Sequence, residues 1–118
     1  MFGMKSASPL PSTSVHVDDV AFMHVKALDP SIAAAFYIAD SEGYAGTVWQ
    51  NASRIIAEAF PKAVAKGLVS IEGIQPTNRS RIDATLAEET FGFKFLGYDE
   101  QVRSVVKHYL ELLGEKAE

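Results

Sequence analysis

The stretch that most constrains this chain is Ala34-Ala35-Phe36-Tyr37-Ile38-Ala39, which has no polar member and is bounded by Asp40-Ser41-Glu42-Gly43. A strand with one wet face alternates apolar and polar residues, and a surface helix repeats them every three or four. An unbroken short apolar run between turn-forming residues does neither, and predicts a strand covered on both faces, as in the interior of a parallel sheet. Parallel strands need crossover helices and neighbouring strands. A chain of 118 residues has room for one domain and for burying roughly two thirds of its unfolded surface. The expected architecture is therefore α/β: about four helices and two to four short strands, with Ala34–Ala39 the last strand of a larger parallel sheet.

The remaining pattern fills in the helices. Residues 1–13 hold two Pro and several Ser or Thr without period and read as a loop or disordered N-terminus. Ser14-Val15-His16-Val17 favours a strand. Asp18-Asp19 can then cap a helix from Val20, with Val20, Met23, His24, Ala27 and Leu28 on one face and Asp29-Pro30 at its end. Thr47-Val48-Trp49-Gln50 has the form of a capping box opening a helix whose apolar face is Val48, Ala52, Ile55, Ile56 and Ala59, stopped by Pro61. Lys62 to Asn78 reads as loop. Asp83 can cap a short helix from Ala84 to Phe91, with Gly92 as a left-handed C-cap. A last helix, Asp99 to Leu113, carries Val102, Val105, Val106, Tyr109 and Leu113 on one stripe, closed by Gly114.

Composition removes whole classes of function. With 11 Lys+Arg against 15 Asp+Glu, a formal charge of −4 and no basic cluster, the chain lacks the electrostatic grip that phosphate backbones require, so no nucleic-acid partner is expected. The absence of cysteine excludes disulfide scaffolds, thiolate nucleophiles and Cys-ligated metals, and fits a reducing, cytoplasmic compartment. No apolar run approaches the ~20 residues of a membrane span, so no membrane partner is expected.

Catalytic patterns are equally sparse. The chain has no G-x-x-x-x-G-K loop, no G-x-S-x-G elbow and no H-E-x-x-H helix. Gly43-Tyr44-Ala45-Gly46 begins like a dinucleotide loop, but Trp49 stands where the third glycine belongs. His16, Asp18 and Asp19 lack the further converging donors of a metal site, and read as a structural hydrogen-bonder and two helix caps. His24, on an apolar face, reads as a satisfied core histidine. Arg79 and Arg81 alternate along an extended segment, which suits a solvated edge, or an anionic ligand held between them. Trp49 and Phe60 read as core or interface residues.

One resemblance organises these pieces. Val15-His16-Val17-Asp18-Asp19-Val20-Ala21, His24-Val25, Ala27-Leu28 and Phe36-Tyr37-Ile38-Ala39 are followed by the Trp49 helix ending in Phe60-Pro61, then Arg81-Ile82-Asp83, Phe91-Gly92-Phe93 and Tyr109-Leu110-Glu111-Leu112. In this order they resemble the C-terminal half of the extended short-chain dehydrogenase/reductases, of the NAD-dependent epimerase/dehydratase family. The branch resembled holds dihydroflavonol reductases, cinnamoyl-CoA reductases and fungal aldehyde or ketone reductases. The resemblance covers residues 14 to 113. It departs at Ala33-Ala34-Ala35, where the family turns through a glycine, and at Ala84-Thr85-Leu86, where it has a Ser-Lys pair.

The resemblance implies that residues 14–118 are the substrate-binding C-terminal part of a reductase-like fold whose Rossmann cofactor domain is absent from this chain. In the family that domain holds NADP or NAD on a Gly-rich loop and supplies a catalytic Tyr-x-x-x-Lys. Here the residues four beyond Tyr37, Tyr44, Tyr98 and Tyr109 are Ser41, Val48, Val102 and Leu113. No catalytic, cofactor-binding or metal-binding residue is therefore assigned to this chain, and no catalysis is expected of it in isolation. The family's substrate-facing position, two before the Val-His pair, falls on Thr13, with Ser14 beside it. The implied ligand is a small carbonyl compound, an aldehyde or ketone reduced to an alcohol. The implied protein partner is the missing Rossmann half, as in a split reductase; a self-associating binding module is the alternative.

Overall fold

The structure, a computed structural model, describes residues 3–116, so the first two positions of the expected N-terminal loop lie outside it. In chain order the elements are strand β1 (Leu10–Pro11), helix α1 (Val17–Lys26), helix α2 (Asn51–Ala59), helix α3 (Pro61–Ala65), strand β2 (Thr77–Asn78), helix α4 (Thr85–Phe91) and helix α5 (Tyr98–Leu112). A single 3₁₀ turn, Gly43–Ala45, precedes α2. β1 and β2 pair in parallel, Leu10 opposite Thr77 and Pro11 opposite Asn78, and an isolated parallel bridge joins Lys5 to Ile74. The chain is thus α/β, with the N-terminal segment stitched along residues 74–78.

Two apolar clusters hold the helices. In the first, Ile55, Ile56 and Phe60 meet Ala63, Val69 and the α5 residues Val102, Val106 and Leu110. In the second, Met23 of α1 meets Ala84, Ala87, Phe91 and Phe95, with Val15, Ile32, Tyr37, Ala39 and Phe93 packed against them. Pro61 both ends α2 and opens α3, since a missing N–H costs nothing in a first helical turn. Gly92 takes the left-handed conformation (φ 69°) expected of it at the end of α4. The α5 N-terminus is capped from a distance, the Tyr98 N–H donating to the Glu42 carboxylate.

Several expectations change here. Ala34–Ala39 forms no strand and is not covered on both faces, Ala34, Ala35 and Phe36 all being exposed. Tyr37 and Ala39 face the second cluster, while Phe36 is 100% and Ile38 53% exposed. A strand needs a neighbour, and no described segment lies alongside to pair with it. The first helix begins at Val17 instead of Val20, because His16 is its cap: the ring Nδ1 accepts from the Asp18 N–H at 3.1 Å. His16, Asp19 and Met23 are buried. His24 is exposed, its ring against the Val20 carbonyl, and is not a core histidine. The Thr47 capping box does not form. The Thr47 hydroxyl is held by Ser14 at 2.6 Å, and the helix opens only at Asn51. Within the expected loop, α3 and β2 appear, giving five α-helices among the described residues. On α5 the buried residues include Leu110, and Val105, Tyr109 and Leu113 of the expected stripe are exposed.

Candidate functional site

An apolar cavity of about 400 Å³ opens between α2, α5 and the stitched segments at residues 3–6 and 70–75. Its helical wall follows from spacing: Ala52 and Ile56 are one turn apart on α2, as are Val102 and Val105 on α5. Trp49 and Tyr98 form its aromatic corner, ring centroids 5.6 Å apart and nearly perpendicular. Both are pinned by their polar ends. The Trp49 indole N–H donates to the Pro11 carbonyl at 2.7 Å, and the Tyr98 hydroxyl donates to the Trp49 carbonyl at 3.1 Å. Across the cavity Gln50 spans to the opposite segment, its side-chain N–H donating to the Gly73 carbonyl and its oxygen accepting from the Gln75 N–H. At Gly73 the chains approach closely, and a Cβ there would stand 3.1 Å from the Met4 carbonyl oxygen.

Beside this cavity lies a cluster of hydroxyls. Ser14 Oγ is 2.6 Å from Thr47 Oγ1 and 3.2 Å from Ser41 Oγ. Ser12 Oγ accepts from the Ser80 N–H at 2.7 Å, and the Ser12 carbonyl accepts from the Thr47 N–H. Asp40, only 2% exposed, accepts the Ser14 N–H on Oδ1, while its Oδ2 has no partner among the described residues. Burial, aided by nearby Glu42, raises its pKa above the usual carboxyl value. Gln101 joins cluster and cavity, for it lines the cavity and donates to both Ser41 Oγ and the Leu96 carbonyl at 2.9 Å. A second recess of about 240 Å³, between Thr47, Asn51, Arg54 and Asp99, shares Tyr98 with the first.

Of the sequence-derived site residues, Ser14 is thus bound into the hydroxyl cluster, and Thr13 is half-buried next to it. Neither is among the residues lining the two cavities. Arg79 and Arg81 are both exposed, and Arg79 donates to the Ala45 carbonyl. His16 is the structural hydrogen-bonder expected, its Nε2 2.9 Å from Ser104 Oγ. Asp19 was expected to cap; it is buried and accepts the Leu96 N–H at 2.8 Å. Asp40, Ser41, Thr47 and Gln101 were not singled out, because no sequence spacing links them. The one available hint was Ser12 and Ser14, which share a face of an extended segment by their two-residue separation.

The chemistry these groups can do is binding and orientation. Burial pushes the Tyr98 phenol up to about 12, and the Asp83 carboxylate raises that of Tyr44; both shifts run opposite to that of a phenol activated as a proton donor. No group of three or more His, Asp or Glu that could hold a metal occurs among the described residues. The Gly43–Gly46 turn does not fit a nicotinamide dinucleotide. No helix starts at its end, and Gly46 is required by Ser12, whose Oγ would lie 2.7 Å from a Cβ. No helix among the described residues is long and apolar enough to cross a membrane.

Comparison with known proteins identifies one group of relatives. The chain is 44% identical over 116 residues to Ketoreductase CTB6 of Cercospora nicotianae and 41% identical over 116 residues to Ketoreductase CTB6 of Cercospora beticola, each alignment covering 95% of this chain and 32% of the relative. Ketoreductase sphI of Aspergillus fumigatus is 32% identical over 98 residues, covering 82% of this chain and 27% of that protein. No family model and no solved structure matches the chain. The chain therefore spans less than a third of the length of these curated relatives, and nearly all of it is similar to one portion of proteins named ketoreductases.

Proposed function

We propose that this chain is the substrate-side portion of a cytoplasmic NAD(P)-dependent ketoreductase of the extended short-chain dehydrogenase/reductase type, shaping the place where an aldehyde or ketone rests. The observation that carries this reading is the 44% identity to a ketoreductase over 95% of the chain. The cavity supports it: an apolar, aromatic-cornered space with few polar groups suits a small carbonyl compound. In this reading the carbonyl compound rests against Trp49 and Tyr98, Thr13 and Ser14 stand outside the cavity lining in the adjoining hydroxyl cluster, and residues outside this chain hold the nicotinamide and donate the proton. The hydroxyl cluster then serves to fix the Ser12–Ser14 segment.

Trp49, the sole tryptophan, gives the test. Titration with an aryl ketone such as propiophenone should quench or shift its emission saturably, and NADPH, after correction for absorbance, should not. Mixing the chain with a ketoreductase cofactor domain should restore ketone-dependent loss of NADPH absorbance. Ketone-dependent NADPH oxidation by the purified chain alone would overturn the reading, as would an emission indifferent to every ketone tried together with an inactive mixture.

A further inference from the structure

Gln101 is the buried polar side chain in the wall of the apolar cavity. It is 8% exposed, and every other polar residue of the lining is more open to solvent. Its place follows from spacing: Tyr98 and Gln101, three residues apart in the first turns of α5, share a helix face, so the amide stands beside the aromatic corner.

The amide is engaged at one end only. Its nitrogen donates twice at 2.9 Å, to Ser41 Oγ and to the Leu96 carbonyl. A carbonyl oxygen can only accept, so the Leu96 contact fixes which end of the amide is nitrogen; turned over, two oxygens would face each other. Oε1 is thereby left over, for it accepts from no group among the described residues. Gln50, by contrast, is engaged at both ends, by the Gly73 carbonyl and the Gln75 N–H. A buried acceptor without a donor is costly, and a ligand that brings the donor recovers that cost. The lining holds no charged residue, so an ammonium donor would lose its water with nothing to balance its charge, and a neutral hydroxyl is the donor that fits.

Given that the cavity holds the carbonyl compound, the reading on which this rests, we propose that Gln101 sets its specificity: Oε1 accepts a hydrogen bond from a hydroxyl of the ligand. The preferred compounds are then neutral hydroxy ketones. They lie with the hydroxyl at Gln101 and the carbonyl turned away, because the amide oxygen repels the carbonyl oxygen. Ser41 and Leu96 already hold the amide in place, so little freedom is lost when the bond forms.

Calorimetric titration of the 118-residue chain with ketones of one skeleton tests this: propiophenone, its 3′- and 4′-hydroxy derivatives and their methoxy ethers, at a pH that keeps the phenols protonated. The better hydroxy ketone should bind about tenfold tighter than propiophenone or more, and its methoxy ether, which keeps the oxygen and lacks the proton, should lose that gain. Gln101→Met keeps the side-chain length and removes the acceptor, and should bind the hydroxy and parent ketones alike. Tyr98→Phe, which removes the hydroxyl of the aromatic corner, should keep the preference. Near-ultraviolet circular dichroism checks that both variants are folded, and the comparison of ketones on the wild-type chain decides without them. Equal or weaker binding of the hydroxy ketones, an equal gain for the ethers, a preference that survives Gln101→Met, or one lost in folded Tyr98→Phe would each overturn the role of Gln101 and leave the ketone cavity standing. Binding of none of these ketones would overturn both.

Discussion

Asp40 is a carboxyl enclosed by protein, with one oxygen paired to the Ser14 N–H and the other without a hydrogen-bond partner among the described residues. Because burial raises its folded pKa above 3.8, the folded chain keeps this proton to higher pH than the unfolded chain does. Its contribution favours folding below 3.8 and is lost as pH rises through the folded value. Asp40→Asn removes that loss, so the Tm of the variant relative to wild type should climb from about pH 4 toward neutrality and then level, as scanning calorimetry can follow. Ser14 is the counterpart, a group whose partners are all satisfied. Ser14→Ala strands the fully buried Thr47 hydroxyl and should cost about 1–3 kcal/mol in urea unfolding, while Thr13→Ala, which breaks no side-chain hydrogen bond described here, should cost less.

Among the elements, α2 and α5 carry the larger core, and their faces show how far periodicity reaches. Ile55, Ile56, Val102 and Val106 were legible from spacing and are buried. Leu110 was not picked, and Val105 was picked wrongly, because a stripe read on one helix does not say which edge of it meets the neighbour. The two leucines near the end of α5 offer a test: Leu110→Ala, a 1% exposed site, should cost about 2–5 kcal/mol, and Leu112→Ala, 73% exposed, under about 0.5 kcal/mol in the same urea titration. The N-termini of α1 and α2 were misread for a related reason. Local capping patterns at Asp18-Asp19 and Thr47-Gln50 compete with remote partners, and here His16 and Ser14 took the groups those patterns needed.

At the scale of the molecule, a slab of 50 × 32 × 18 Å leaves apolar side chains exposed at both ends of the chain's course, Leu28 and Phe36 on one side of the sequence and Leu112 and Leu113 on the other. The relatives frame the same point from the opposite direction. They are ketoreductases of which this chain spans 27–32%, so a larger protein has other surfaces with which to cover the corresponding faces.

The order of apolar and polar residues by itself determined that helices would form over about 20–28, 48–60, 84–91 and 99–113, each of which overlaps a helix of the structure, and that Gly92 would end one of them. Those outcomes depend on contacts within a few residues, which spacing records. The tertiary structure alone decided that Asp40, Ser14, Ser41, Thr47 and Gln101 would meet, that Trp49 and Tyr98 would corner a cavity, and that Ala34–Ala39 would lack a neighbour. Each depends on segments distant in the chain being brought together, and a hydrogen bond or a strand partner supplied from far along the chain leaves no periodic trace in either participant.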